Sequence, residues 1–157
     1  MSRLWTAPEG NPLSERTVLI AVQSPWVEPV VKAIRQGGGS PLTVKTAEEV
    51  FPVLQFGQPE FYILSEGFGT DQSQQNFLLE YIQKMPTSQR RDIFVIWISA
   101  VVKSGDILSA FSYSVNLVLQ PEELDEIVSQ IKKSWTLWKD LYQVFVQTRI
   151  QITGQEI

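Results

Sequence analysis

Among its 157 residues the chain has no cysteine and no histidine. The first absence excludes disulfides, thiolate nucleophiles and thiolate metal sites, and the second removes the imidazole base and the commonest metal ligand. Basic residues are also scarce. Thirteen Lys and Arg stand against seventeen Asp and Glu, a net charge of −4, with no stripe to neutralise phosphates, so nucleic acid is not an expected partner. Long apolar runs are missing too. The longest, Ile93 to Val102, has ten residues and contains Ser99, whereas a spanning helix takes about twenty. The opening residues Met1 to Gly10 lack the apolar stretch of a secretory signal and read as a flexible arm with Pro8 and Gly10. No transmembrane segment is expected, and the expected location is cytoplasmic, with which the absent cysteines agree.

Of the residues present, 43% are apolar and 11% aromatic, enough for the core of one domain at this length. Thr17 to Val22 is apolar and β-branched, too short for a helix and too continuous for a half-exposed strand, so it predicts a strand buried on both faces. Ser24 and Pro25 supply an N-cap and a first helical residue. Trp26, Val27, Val30, Val31 and Ile34 then recur at helical spacing until Gly37, Gly38 and Gly39. A second strand, Leu42 to Lys45, leads to Thr46 and Glu49 at capping-box spacing and a second helix to about Phe56. The third strand is Phe61 to Ser65, followed by a loop at Gly67 to Asp71 and a third helix marked by Phe77, Leu78, Tyr81, Ile82 and Met85. Asp92 to Ser99 is the most apolar strand, Ile107 to Tyr113 a short fourth helix, and Asn116 to Leu119 the fifth strand. Five strands alternating with five helices predict an α/β fold, an open, doubly wound parallel sheet.

The last helix exceeds its sheet. Pro121 opens it with Glu122, Glu123, Asp125 and Glu126 at the positive end of the helix dipole. Apolar residues then continue through Leu124, Ile127, Ile131, Trp135, Trp138, Leu141, Val144 and Phe145 with no Gly or Pro before Gly154, which predicts a helix over about 122–148. Such a helix measures roughly 40 Å, while a strand of five or six residues spans about 17 to 20 Å. The overhang carries Trp135, Trp138, Leu141, Tyr142 and Phe145 at spacings of three and four. Two readings are open: a docking or dimerisation surface, or a break near Ser134 that folds the tail back as a sixth helix and makes the Trp side chains intramolecular core. The pattern divides the chain into a flexible arm over 1–16, an α/β domain over 17–133, and a C-terminal helical extension and tail over 134–157.

Over about residues 17–133 the element order, with the strings Thr17 to Val22, Phe61 to Glu66, Ile96 to Ala100 and Leu119 to Leu124, resembles a bacterial response-regulator receiver domain. The resemblance implies the sheet order 2-1-3-4-5. It also implies an acidic pair after strand one that binds Mg²⁺, an Asp ending strand three that accepts a phosphoryl group, a Ser or Thr ending strand four, a Lys before Pro after strand five, and a cis peptide at that Pro. By position these fall on Val22 and Gln23, Glu66, Ser99, and Gln120 before Pro121; only Ser99 and Pro121 fit, and Leu117 replaces the family's aromatic switch residue.

A Val and a carboxamide lack the charge that Mg²⁺ requires, and without metal and Lys nothing offsets charge on a transferring phosphoryl group. Glu66 either reaches Ser99 and imitates the phosphorylated state, or is a solvated loop acid; the lack of a cation at Gln120 favours the second. The expected function is therefore a degenerate pseudo-receiver, a non-catalytic protein-interaction module in bacterial signalling. It would need no metal or cofactor and meet a protein partner or a second copy through the C-terminal helix. Two alternatives stand beside it: a small α/β enzyme or nucleotide-binding protein using the rim residues Gln23, Ser24, Glu66, Gly67, Ser99 and Gln120, and a structural subunit of a larger assembly.

Overall fold

The computed structural model describes residues 3–6, 10–69 and 76–153. Its strands are β1 (Thr17–Ala21), β2 (Ser40–Thr43), β3 (Phe61–Ser65), β4 (Phe94–Ile98) and β5 (Leu117–Leu119). All pair in parallel, in the order β2-β1-β3-β4-β5, so the doubly wound sheet read from the sequence is present, in the 2-1-3-4-5 order that the resemblance implies. Every residue of β3, β4 and β5 is buried, as nearly continuous apolar runs between two helical layers require.

Alternate residues separate into two cores. On one face Val18, Ile20, Phe61, Ile63, Phe94, Ile96, Ile98, Leu117 and Leu119 pack against α1 (Ser24–Gln36) and α6 (Ile127–Thr153). On the other, Leu19, Tyr62, Leu64, Val95, Trp97 and Val118 meet residues of α2 (Ala47–Phe56), α3 (Phe77–Gln83) and α5 (Ile107–Tyr113). A one-turn helix α4 (Thr87–Arg90), not expected from the sequence, follows α3. It exists to place Arg90, whose guanidinium donates to the carbonyls of Ser114 and Ile93 and to Asn116 Oδ1, tying the entrance of β5 to the entrance of β4.

Several local expectations change. The N-cap position of α1 is Gln23, with Ser24 already helical. Thr46 makes no side-chain cap bond, and Glu49 instead accepts the Lys45 N–H at 2.8 Å. The peptide before Pro121 is trans, so the cis bond implied by the family is not found, and Pro121–Glu126 forms a 3-10 turn ahead of α6.

The arm over 1–16 is not loose where it is described. Arg3–Thr6 forms a 3-10 turn, and Leu4, Trp5 and Leu13 are buried. Trp5 stacks on Trp135 at 6.2 Å, leans on Tyr142 at 4.9 Å and donates its indole N–H to the Arg91 carbonyl at 2.7 Å. A second boundary also dissolves, because α6 runs unbroken through Ser134. Trp135 is buried and Trp138 and Tyr142 are half-buried against the same core. The aromatic face of the first half of α6 is therefore intramolecular, reached by a continuous helix and not by a fold-back.

One consequence of this packing is an alkaline limit on stability. Burial, and secondarily the charge of Tyr81, push the Tyr62 hydroxyl up to about 12. The unfolded chain would lose that proton near 10, so above pH 10 the unfolded state binds fewer protons and stability falls as pH rises. The loss from this group alone is about 2 kcal/mol by pH 12. Urea unfolding of Tyr62→Phe between pH 9 and pH 12 (about 10 being the free phenol value) should show a shallower decline than the unmodified chain.

Candidate functional site

Parallel pairing brings the C-terminal ends of β1, β3, β4 and β5 to one rim. The sheet hydrogen bonding continues beyond the named strands: Glu66 N–H donates to the Ile98 carbonyl at 3.2 Å and Ser99 N–H to the Leu119 carbonyl at 3.0 Å. Glu66 and Ser99 are thus fixed by the ladder itself. Gly67 follows at φ +79, a left-handed conformation that turns the chain away directly after Glu66.

Within that frame Glu66 is only 8% exposed, and its carboxylate reaches the end of β4. Ser99 Oγ donates to its Oε2 at 2.8 Å, and the Ala100 N–H donates to its Oε1 at 3.1 Å. Ser99 Oγ accepts in turn from the Val101 N–H at 3.2 Å. The expectation of a solvated loop acid is therefore corrected. Both carboxylate oxygens are engaged, and the donors are a hydroxyl and a backbone amide, not a cation. Charge-assisted bonds of this kind are roughly twice as strong as neutral ones, which is what makes burial of this acid sustainable.

The other positions do not converge on Glu66. Val22 is buried in the apolar core. Gln23 uses its backbone N–H on Ser65 Oγ at 2.8 Å and lays its amide beside Gly67. Gln120 donates its side-chain N–H to the Val102 carbonyl at 2.6 Å, while its backbone N–H meets Ser104 Oγ at 2.8 Å. It fastens the loop between β4 and α5 at Val102 and Ser104, beyond the residues that Glu66 holds. Three contributors were not singled out in the sequence: Ser65, Ser104 and Asn76. Asn76 donates to the Ser65 carbonyl at 2.8 Å and accepts from the Leu78 N–H at 2.9 Å, capping α3; its place before an apolar helical run is the signal that could have revealed it.

The Mg²⁺ implied by the family does not fit this donor set. The Val22 side chain has no ligand atom, the Gln23 side chain offers only an amide, and the Glu66 oxygens already accept two hydrogen bonds where an octahedral cation needs several free oxygens. No group of three acidic side chains gathers among the described residues. A groove of about 790 Å³ lies towards the β2 edge, lined by Gln23, Ser24, Glu28, Arg35, Lys45 and Gly67 among others. Its lining does not include Glu66, Ser99 or Gln120, so the rim positions considered for a nucleotide do not form one pocket there.

Of the five tail positions expected to bind a partner, Trp135, Trp138 and Tyr142 face the domain. Leu141 is exposed. Phe145 lies on α6, with its side chain outside the described residues. Among the described residues no helix is long and apolar enough to cross a membrane.

No family model and no curated protein matches the chain. Solved structures do. The N-terminal domain of a response regulator receiver protein from Methanoculleus marisnigri is 23% identical, with 68% of this chain and 85% of that chain covered and a TM-score of 0.52. The receiver domain of Francisella response regulator 1452 is 12% identical, covering 78% and 98%, with a TM-score of 0.59. A fusion carrying the yeast Spc42 trimeric coiled coil is 11% identical, covering 90% and 96%, with a TM-score of 0.60. At these identities the likeness establishes a receiver-like fold.

Proposed function

We propose that the chain is a non-catalytic pseudo-receiver, a protein-interaction module of bacterial signalling whose acceptor position is permanently occupied by its own carboxylate. One observation carries this reading: Glu66 bridges Ser99 Oγ and Ala100 N across β3 and β4. A phosphoryl group attached to an Asp in that place would present an anionic oxygen to the same hydroxyl and amide. Glu supplies an anionic oxygen one methylene further out, without metal, phosphodonor or turnover. The domain is then held in one signalling conformation, and regulation passes to whatever binds it. The absence of a cation at Gln120 agrees with this, because an occupied latch needs no Lys to neutralise a transferring group.

Incubation with acetyl phosphate and Mg²⁺, followed by intact mass measurement, tests the reading. The mass is expected to stay unchanged. An acid-labile gain of one phosphoryl group that disappears in Glu66→Gln would overturn it.

A further inference from the structure

The first half of α6 is covered by the domain, whereas the described side chains beyond Tyr142 are not. Beyond Tyr142 every described side chain is exposed, Val144 at 62% and Ile152 at 77% among them. Helical backbone continues to Thr153, about 16 Å past the last packed ring at 1.5 Å per residue. This overhang has the wrong composition for a solvated helix. From Leu141 to Thr153 its one charged residue is Arg149, and Leu141, Tyr142, Val144, Phe145, Val146, Ile150 and Ile152 are apolar. A helix of that kind is normally covered.

Its spacing says what kind of cover fits. Trp138, Leu141, Phe145, Thr148 and Ile152 follow one another at intervals of three and four, the 3.5-residue period of a two-helix seam. Leu137 and Val144 flank that seam, where charged residues usually select a partner. We infer that the distal part of α6 pairs, parallel and in register, with the same segment of a second copy of this chain. The inference rests on reading this helix as the interaction element, and it names the partner.

Charge decides between occupants. In parallel register only the seam residues meet their own copies, and the segment's one charge, Arg149, takes a flanking position that faces the Val144 flank of the second copy, so self-pairing brings no like charges together. The same neutrality leaves a different protein's helix nothing to recognise by complementary charge. A bilayer surface would call for a basic face, and the segment lacks one. At its root the exposed strip widens: Leu141 is 50% exposed, and the exposed Phe111 of α5 stands edge-on to Trp138 at 5.7 Å. This adds apolar area beyond what two heptads offer.

The test is the solution mass of the full chain by light scattering over a concentration series. The unmodified chain and Gln143→Glu/Gln147→Glu, which charges the face away from the seam, are expected at the mass of two chains. Val144→Glu/Ile152→Glu is expected at half that mass, with unchanged circular dichroism and Trp fluorescence. Because the chain has no cysteine, Leu141→Cys and Thr148→Cys, made separately, provide an independent readout: oxidation should cross-link each to its own copy, as parallel, in-register pairing requires at both positions and antiparallel pairing allows at only one. A single-chain mass for the unmodified protein, a mass of three chains, or a dimer that Val144→Glu/Ile152→Glu leaves intact would overturn the inference. The phosphorylation result stands apart from all three, since a monomer that takes up no phosphoryl group overturns the pairing and leaves the pseudo-receiver reading in place.

Discussion

Trp135→Ala is expected to lower the unfolding free energy by about 3–5 kcal/mol, the range for deleting a fully buried large aromatic side chain. The indole is buried between the sheet and the N-terminal turn, stacked on Trp5 at 6.2 Å, and it donates to the Leu4 carbonyl at 3.2 Å. Its removal leaves a cavity in the core and releases the turn that carries Leu4 and Trp5. Part of the loss therefore belongs to a pair. The double variant Trp5→Ala/Trp135→Ala should cost less than the sum of the two single changes, as contacting residues couple by about 0.5–3 kcal/mol. Urea unfolding measures both quantities. Trp138→Ala should cost less than Trp135→Ala, because Trp138 is half-buried and its main polar contact is a 2.9 Å bond to the Asn116 carbonyl. A Trp135→Ala chain as stable as the original would return that residue to the list of partner-binding positions.

Trp135, which the sequence leaves open between a partner and the core, shows what a linear pattern contains. Five strands were legible because runs such as Phe94 to Ile98 are apolar on both faces, a signal that depends only on neighbours in sequence. The helix length was legible as well, and it correctly implied an overhang. What spacing could not supply was the point at which cover ends. Trp135, Trp138 and Tyr142 share one face with Leu141 and Phe145 nearby, and an intramolecular seam has the same period as an intermolecular one. The difference lies 130 residues away, where Leu4 and Trp5 fold back beneath the helix. Their segment gave no warning, since a four-residue 3-10 turn is too short to show periodicity. The distal half of α6 is where the interaction reading survives.

Glu66 shows the same limit at the site. As a sequence position it has no cation to hold it, since Gln120 supplies none, and the expectation is a solvated acid. In the fold its carboxylate is met by a hydroxyl and an amide from the adjacent strand end, 33 and 34 residues on. Neutral donors held by a sheet ladder can stabilise a buried anion without any opposite charge nearby. Backbone amides in particular have no sequence signature, so Ala100 could not have been anticipated as a partner.

This arrangement sets the second large effect. Glu66→Leu is expected to cost about 2–4 kcal/mol, because it removes the acceptor from two donors and leaves the Ala100 N–H and Ser99 O–H without it, at roughly 1–3 kcal/mol for each unsatisfied group. Glu66→Gln should cost clearly less, since its side-chain carbonyl can still accept one of the two bonds. Ser99→Ala should fall between them: it deletes one donor to Oε2 and also the acceptor of the Val101 N–H. Glu66→Asp separates reach from charge, retaining the anion while withdrawing it by one methylene, so it should be destabilising although its charge is unchanged. A double-mutant cycle of Glu66→Gln with Ser99→Ala, read by urea unfolding, should return a coupling energy on the order of 1–2 kcal/mol. Amide exchange adds a local measure, in which protection of Ala100 and Val101 should drop in Glu66→Leu more than protection within β1. Additive effects and unaltered exchange at Ala100 would mean that the carboxylate holds nothing, and the conformation attributed to the latch would then fall to the Gln120 bonds to the Val102 carbonyl and Ser104 Oγ.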